Sequence, residues 1–215
     1  AVETRSSIVT AAKAELSAYV DKNNYYETEQ AEVEAAVTAG NGAIEAAESK
    51  TEVDNAVAEA KAAIDKIATK SEKLAEAKAA ALKAIEEAVA ALSSADYSDV
   101  NWKAITDKAA EAKADIEAVT VDNIAQIDAI KTDALTAIDE VKTIAEELEA
   151  YKTEKKNVLD GILSALAETD YYAAEWSDIQ GYVTSGKTAI DEAADTAAVD
   201  KAIADAEAAI NAVEK

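Results

Sequence analysis

The chain has 215 residues and a formal net charge of −23, and it contains no Cys, Met, His, Phe or Pro. Such an acidic surface repels phosphate backbones and anionic lipids, so we expect no nucleic-acid partner and no membrane insertion. The lack of Cys excludes disulfides and thiolate metal sites, and the lack of His removes the commonest general base. We therefore expect a protein that is not an enzyme, with no catalytic residue, no cofactor and no metal ion.

Alanine supplies 55 of the residues, and Glu, Lys, Leu and Ile are abundant. All are strong helix formers or fit the apolar face of a helix, so the predicted elements are helices. Comparison of the sequence with itself shows three copies of one unit, each of which predicts three helices.

The first copy is marked by the loop sequence NNYYETEQ, in which Tyr25 serves as the reference residue. Val33 and Ile44 follow Tyr25 by eight and nineteen residues, which places both on one face of a second helix. A third helix is predicted from Val53, where the sequence reads VDNAVAEAKAAIDKI.

The second copy has its reference residue, Tyr97, in the sequence ADYSDVNW, 72 residues after Tyr25. The helix before this loop is predicted from apolar residues at intervals of three and four, namely Leu82, Ile85, Val89 and Leu92. The helix after the loop carries Trp102, Ile105 and Ile116, and a last helix follows from Ile127.

The third copy has its reference residue, Tyr171, in the sequence DYYAAEW, 74 residues after Tyr97. Trp176, Ile179 and Ile190 repeat the spacing of the second copy, and VDKAIADAEAAINAV closes the repeat. Three amphipathic helices joined by short loops predict an antiparallel three-helix bundle.

We therefore predict an all-α fold with three tandem modules, at residues 1–69, 70–143 and 144–215. Between Glu52 and Leu92 there is neither Gly nor Pro, so long, near-continuous helices are expected to join the bundles into a spectrin-like elongated rod. The alternative is that Ser71 caps a new helix and the chain breaks near residues 69–71.

Two glycines lie within predicted helices although Gly weakens a helix. Gly40 and Gly186 both stand fifteen residues after their reference tyrosine, and Ala112 holds the same place in the second module. We interpret them as points where helices cross closely, with a hinge or a ligand-approach site as the alternative.

The aromatic residues around the reference tyrosines are the candidate ligand-binding residues, namely Tyr26, Tyr97, Tyr172, Trp102 and Trp176. Trp102 and Trp176 precede core isoleucines by three residues, so we expect both to cover the end of a core. Tyr26 and Tyr172 directly follow the reference tyrosine, and we expect them to be exposed and better placed for stacking on a ligand.

This pattern resembles the FIVAR modules ("found in various architectures"). The resemblance rests on Tyr97, Trp102, Ile105, Ile127, Asp128 and Ile138, and on Tyr171, Trp176, Ile179, Val199, Asp200 and Ile210. The first module departs from the pattern at Gln30, which replaces the tryptophan. The resemblance implies repeats of bacterial extracellular proteins, secreted or attached to the cell wall, that act as spacers or as adhesive rods.

We therefore expect a monomeric, extracellular bacterial spacer that presents neighbouring domains of a larger surface or secreted protein. The alternative is an adhesive module that binds a host protein or a polysaccharide through the Tyr-rich loops.

Overall fold

A computed structural model describes residues 3–214, and within this range the chain forms nine α-helices and no strand. The helices are α1 Arg5–Tyr19, α2 Glu27–Ala46, α3 Lys50–Ile64, α4 Lys70–Ala90, α5 Asp99–Ala118, α6 Gln126–Asp139, α7 Ile144–Ala165, α8 Ala173–Glu192 and α9 Thr196–Asn211. The predicted all-α fold is confirmed. Short 3-10 turns precede α2, α5, α6 and α8.

The chain divides into two compact units. One comprises the chain up to Glu87 together with Ala109–Leu135, and the other comprises Ala88–Lys108 together with the chain from Thr136 onward. The predicted division into modules at 1–69, 70–143 and 144–215 stays a prediction, and "module" below denotes these sequence segments.

In the first unit, α1, α2 and α3 pack against one another in all three pairings. Their buried side chains form one apolar cluster, which consists of Ala12, Leu16, Ile44, Ala47, Val53, Ala56, Val57, Ala60 and Ile64. Much of this cluster is alanine, which buries little area but allows helices to approach closely. Val33 is also fully buried, as its spacing from Tyr25 predicted.

In the second unit, α7, α8 and α9 pack in the same three pairings. Their buried cluster consists of Leu159, Ile179, Val183, Ile190, Ala193, Val199, Ala202, Ala206 and Ile210. Ile179 and Ile190, eight and nineteen residues after Tyr171, are fully buried, as predicted.

Close helix crossing explains two of the glycines. A Cβ atom on Gly40 would lie 2.5 Å from the Ala60 Cβ and 2.8 Å from a Leu16 methyl group. A Cβ atom on Gly186 would lie 2.7 Å from the Ala206 Cβ. All three distances are far below van der Waals contact, so the close-crossing interpretation is confirmed.

The predicted continuous helices between modules are wrong. Helix α3 ends at Ile64 and α4 begins at Lys70. Thr69, rather than Ser71, caps α4: its backbone N–H donates to the Glu72 carboxylate at 2.8 Å, and its hydroxyl accepts from the Glu72 N–H at 3.2 Å. These bonds to the Thr69 backbone and hydroxyl hold the pKa of Glu72 below its usual value.

The same capping box opens α7. Thr143 exchanges bonds with Glu146 at 2.8 and 3.1 Å, four residues after α6 ends at Asp139. A Thr-x-x-Glu sequence satisfies the free N–H groups of a new helix start, so the chain breaks there even without Gly or Pro. The alternative prediction of a break near residues 69–71 is confirmed.

Candidate functional site

Two Tyr–Trp pairs lie at the starts of α5 and α8. The ring centroids of Tyr97 and Trp102 are 6.0 Å apart, and those of Tyr171 and Trp176 are 5.9 Å apart. All four rings are half-buried. In each pair the tyrosine is in the extended loop and the tryptophan, five residues later, is in the first turns of the helix. Their centroid separation lies within the range that is typical of aromatic pairs.

The rings of the third module belong to its core. Tyr171 and Trp176 pack against the buried cluster formed by α7, α8 and α9. Trp176 therefore packs on the core, as expected, and its covering of the core's end stays a prediction.

The first module has Gln30 in the place of the tryptophan, and the structure explains this departure. The Gln30 side-chain amide donates to the carbonyls of Lys22 and Tyr25, both at 3.0 Å. The amide thus holds the preceding turn by hydrogen bonds, while the Tyr25 ring is itself buried.

Tyr26 and Tyr172 occupy equivalent positions but differ in exposure. Tyr172 is 76% exposed, as predicted. Tyr26 is half-buried, so the expectation of an exposed ring is wrong there. Its hydroxyl donates to the Val121 carbonyl at 2.6 Å, and the Lys70 ammonium lies 5.5 Å from its ring centroid.

These contacts belong to a larger set, which we call the first junction. In it, Tyr26, the N-cap residue of α2, contacts Lys70 and Val121, and Glu29 of α2 contacts Lys73 of α4. The Glu29 carboxylate forms an ion pair with Lys73 and is only 7% exposed. The hydrogen bond from Lys73 holds the pKa of Glu29 below its usual value, against the opposing effect of burial.

A second junction uses the same positions with other side chains. Asn101 stands four residues after Tyr97, as Glu29 stands four after Tyr25. Its amide donates to the Lys142 carbonyl at 2.8 Å and to the Glu147 carboxylate at 2.9 Å. Glu147 lies four residues after the cap Thr143, the place that Lys73 holds after Thr69.

Three cations form another repeated contact. Arg5, Lys78 and Lys152, one in each module, donate to a carbonyl one residue before the end of the module's second helix. The accepting carbonyls and distances are Glu45 at 2.6 Å, Glu117 at 2.7 Å and Asp191 at 3.1 Å. These bonds satisfy carbonyls that a helix end leaves without an intrahelical partner.

Neither the junctions nor the capping cations were predicted from the sequence. The available signal was a basic residue nineteen or twenty positions before each reference tyrosine, and a polar residue four positions after it. In a chain with 65 charged residues, given by 21 basic and 44 acidic side chains, such single positions do not stand out.

An open groove of about 360 Å³ lies between α1 and α3. Its apolar floor includes Ile8, Val53 and Val57. Four of the charged groups that line it are paired with each other, Lys61 with Glu15 at 2.6 Å and Lys50 with Asp54 at 3.2 Å, and Glu3 lines it as well. Paired surface charges offer a ligand little net attraction.

In the part of the chain that the structure describes, no helix is both long and apolar enough to cross a membrane. Residues 3–214 also hold no group of three or more acidic side chains arranged to bind a metal ion. Comparisons with protein-family models, with curated proteins and with solved structures found no match for this chain.

Proposed function

We propose that the chain is a non-catalytic spacer, a monomeric extracellular rod that presents neighbouring domains of a larger bacterial surface or secreted protein. In this proposal the nine helices form three antiparallel bundles stacked end to end, in the manner of spectrin repeats. The resemblance to FIVAR modules supports the extracellular, bacterial setting.

The observation that carries the proposal is the repetition of the junction contacts. The start of α2 is bonded to the start of α4, and the start of α5 is bonded to the start of α7, through equivalent positions. A catalytic or ligand-binding protein needs one concave site with convergent polar groups. Contacts that repeat from module to module serve instead to attach each module to the next in the same way.

Small-angle X-ray scattering of the full chain tests the rod. A compact domain of this length has a radius of gyration of about 17 Å. Three stacked bundles, each about 30 Å long for twenty-residue helices, form a rod of about 100 Å with a radius of gyration near 29 Å. We expect the larger value, and a value close to 17 Å would refute the spacer proposal.

Adhesion is the second candidate function, because Tyr172 is 76% exposed and amphipathic rings of this kind are common at interfaces. In that case Tyr172→Ala should abolish binding of the chain to an immobilised host protein or polysaccharide. Val100→Ala, at another exposed apolar side chain, should leave binding unchanged.

A further inference from the structure

The start of α8 exposes a tyrosine whose equivalent is covered elsewhere in the chain, beside a half-buried glutamate, Glu175, whose carboxylate accepts from the Tyr172 N–H at 2.8 Å. We call Tyr172 and Glu175 the α8 end. Tyr172 follows its reference tyrosine by one position and Glu175 by four, as Tyr26 and Glu29 do in the first module. Tyr172 is 76% exposed, whereas Tyr26 is half-buried within the first junction.

We infer that the α8 end is a docking site for a further module whose first helix begins like α4. The required sequence is Thr-Lys-x-Glu-Lys, as at residues 69–73. This inference rests on the proposed spacer function, and it names the partner that such a spacer accepts.

The first junction shows how this helix start fits Tyr and Glu. The first lysine lies over the Tyr26 ring, with its ammonium 5.5 Å from the centroid, where the electron-rich face of the ring attracts a cation. The second lysine forms the ion pair with Glu29. Tyr172 and Glu175 offer the same ring and the same carboxylate at the same spacing.

The second junction shows that the two sides change together. Ser98 and Asn101 stand in the places of Tyr26 and Glu29, and their partner α7 has Ile144 and Glu147 in the places of the two lysines. The Asn101 amide donates an N–H to the facing Glu147 carboxylate, whereas a carboxylate in the place of Asn101 would repel Glu147. The α8 end has the Tyr/Glu combination, so it selects the lysine-bearing helix and disfavours one like α7.

A second copy of this chain does not supply that helix. Helix α1 is preceded by its cap Thr4, and Ile8 stands four residues after this cap, in the place of the second lysine. Arg5, in the place of the first lysine, is bonded to the carbonyls of Glu45 and Ala47. The lysines of α4 are already engaged at the first junction. The inferred occupant is therefore a distinct module with an α4-like start.

Two extended chains test the inference. In both, residue 215 is replaced by the threonine that opens an added module, because this position lies 44 residues after Tyr171, as Thr69 lies 44 after Tyr25. The test chain adds a second copy of residues 69–143, and the control chain adds a second copy of residues 143–215 in which Tyr172 is changed to Phe, so that only the original Tyr172 is measured. Circular dichroism verifies that each extension adds helix.

The measurement is the rate at which tetranitromethane nitrates Tyr172, resolved by mass spectrometry, with Tyr26 as the internal reference for a covered ring. A docked fraction of about four fifths slows the reaction about five-fold. We expect this slowing in the test chain, and in the control chain we expect the rate of the unextended protein. Glu175→Lys in the test chain should restore the fast rate.

Three results would overturn the inference. The first is fast nitration in a test chain whose extension is helical. The second is equal protection in both extended chains, since this would mean unspecific shielding. The third is concentration-dependent protection in the unextended chain, since this would make a second copy the partner. Scattering of the unextended chain tests the spacer function separately, so a failure of docking alone is distinguishable.

Discussion

At the scale of single residues, the two crowded glycines give the sharpest test of the packing. Gly40→Ala would place a methyl group 2.5 Å from the Ala60 Cβ, and overpacking of this kind costs about 1–3 kcal/mol. The gain in helix propensity returns about 1 kcal/mol. We expect a net loss of stability in urea denaturation.

Gly42→Ala is the matched control, because it lies in the same helix with nothing within 4 Å of the added methyl group. It should raise the free energy of unfolding by about 0.5–1 kcal/mol. Equal effects of the two substitutions would contradict the close crossing at Gly40.

Trp176 and Tyr172 should differ in their effect on stability. Trp176 is half-buried and packs on the cluster formed by α7, α8 and α9. Trp176→Ala should therefore cost about 2–3 kcal/mol, below the ~3–5 kcal/mol typical of a fully buried ring. Tyr172→Ala should stay within about 0.5 kcal/mol, because its ring is exposed. Chemical denaturation of the full chain followed by tryptophan and far-UV signals measures both, and a neutral Trp176→Ala would argue for a ligand platform.

The pKa of Glu29 sets a pH window for the first junction. Because the Lys73 hydrogen bond lowers the folded-state pKa of this carboxyl, its contribution to stability is present above the unfolded-state pKa, about 4.3. The contribution is lost as the pH falls through the lowered folded-state value. Glu29→Gln should therefore destabilise the chain at pH 7, and the difference from the parent should shrink as the pH falls below about 4.

Glu34→Gln is the control for this experiment. Its carboxylate pairs with Lys22 at the exposed surface, at 2.5 Å, and should contribute little at either pH. A Glu29→Gln chain that is as stable as the parent at pH 7 would contradict the role of the ion pair.

At the scale of elements, the capping cations should stabilise the ends of the second helices. Lys152 is only 6% exposed and donates to the Asp191 carbonyl. Lys152→Met keeps most of the stem but leaves that carbonyl without the bond, which costs about 1–3 kcal/mol for a buried group.

Lys156→Met provides the comparison, because Lys156 also bonds Asp191 of α8. Lys156 bonds the Asp191 carboxylate, at 2.6 Å, in an exposed pair, and its loss should cost at most about 1 kcal/mol. Thermal denaturation of the two variants should rank Lys152→Met clearly below Lys156→Met, and the reverse order would exclude the capping role.

Helical periodicity was sufficient to predict the helices and their buried faces, because apolar residues such as Val33, Ile105 and Ile179 repeat at helical spacing. The breaks between modules were not the main prediction, because the capping box at Thr69 starts a new helix without the Gly or Pro that usually marks a helix end. The burial of Tyr26 was not predictable, since its hydrogen-bond partner Val121 lies 95 residues away and no local pattern marks such a contact.

At the scale of the whole molecule, the excess of acidic side chains should govern the response to salt. With a net charge of −23, the folded chain brings like charges closer together than the unfolded chain does. Raising the salt concentration from 0.1 to 1 M shortens the screening length from about 10 Å to about 3 Å. We expect the unfolding temperature at pH 7 to rise with sodium chloride.

The same titration near pH 4.3, the sequence isoelectric point, is the control, because little net charge remains to be screened there. If salt raised the unfolding temperature equally at both pH values, the effect would come from apolar burial rather than from charge repulsion.

The crowded glycines also bear on how a repetitive gene of this kind evolves. Recombination between repeats readily exchanges equivalent segments, yet the second module carries Ala112 where the first carries Gly40. An exchange of the middle helix would import a methyl group into a crossing that leaves no room for it. A single-base substitution in the codon of Gly40 would introduce the same methyl group. The close crossing thus opposes the spread of the second module's alanine into the first module, and selection at this position would favour glycine there.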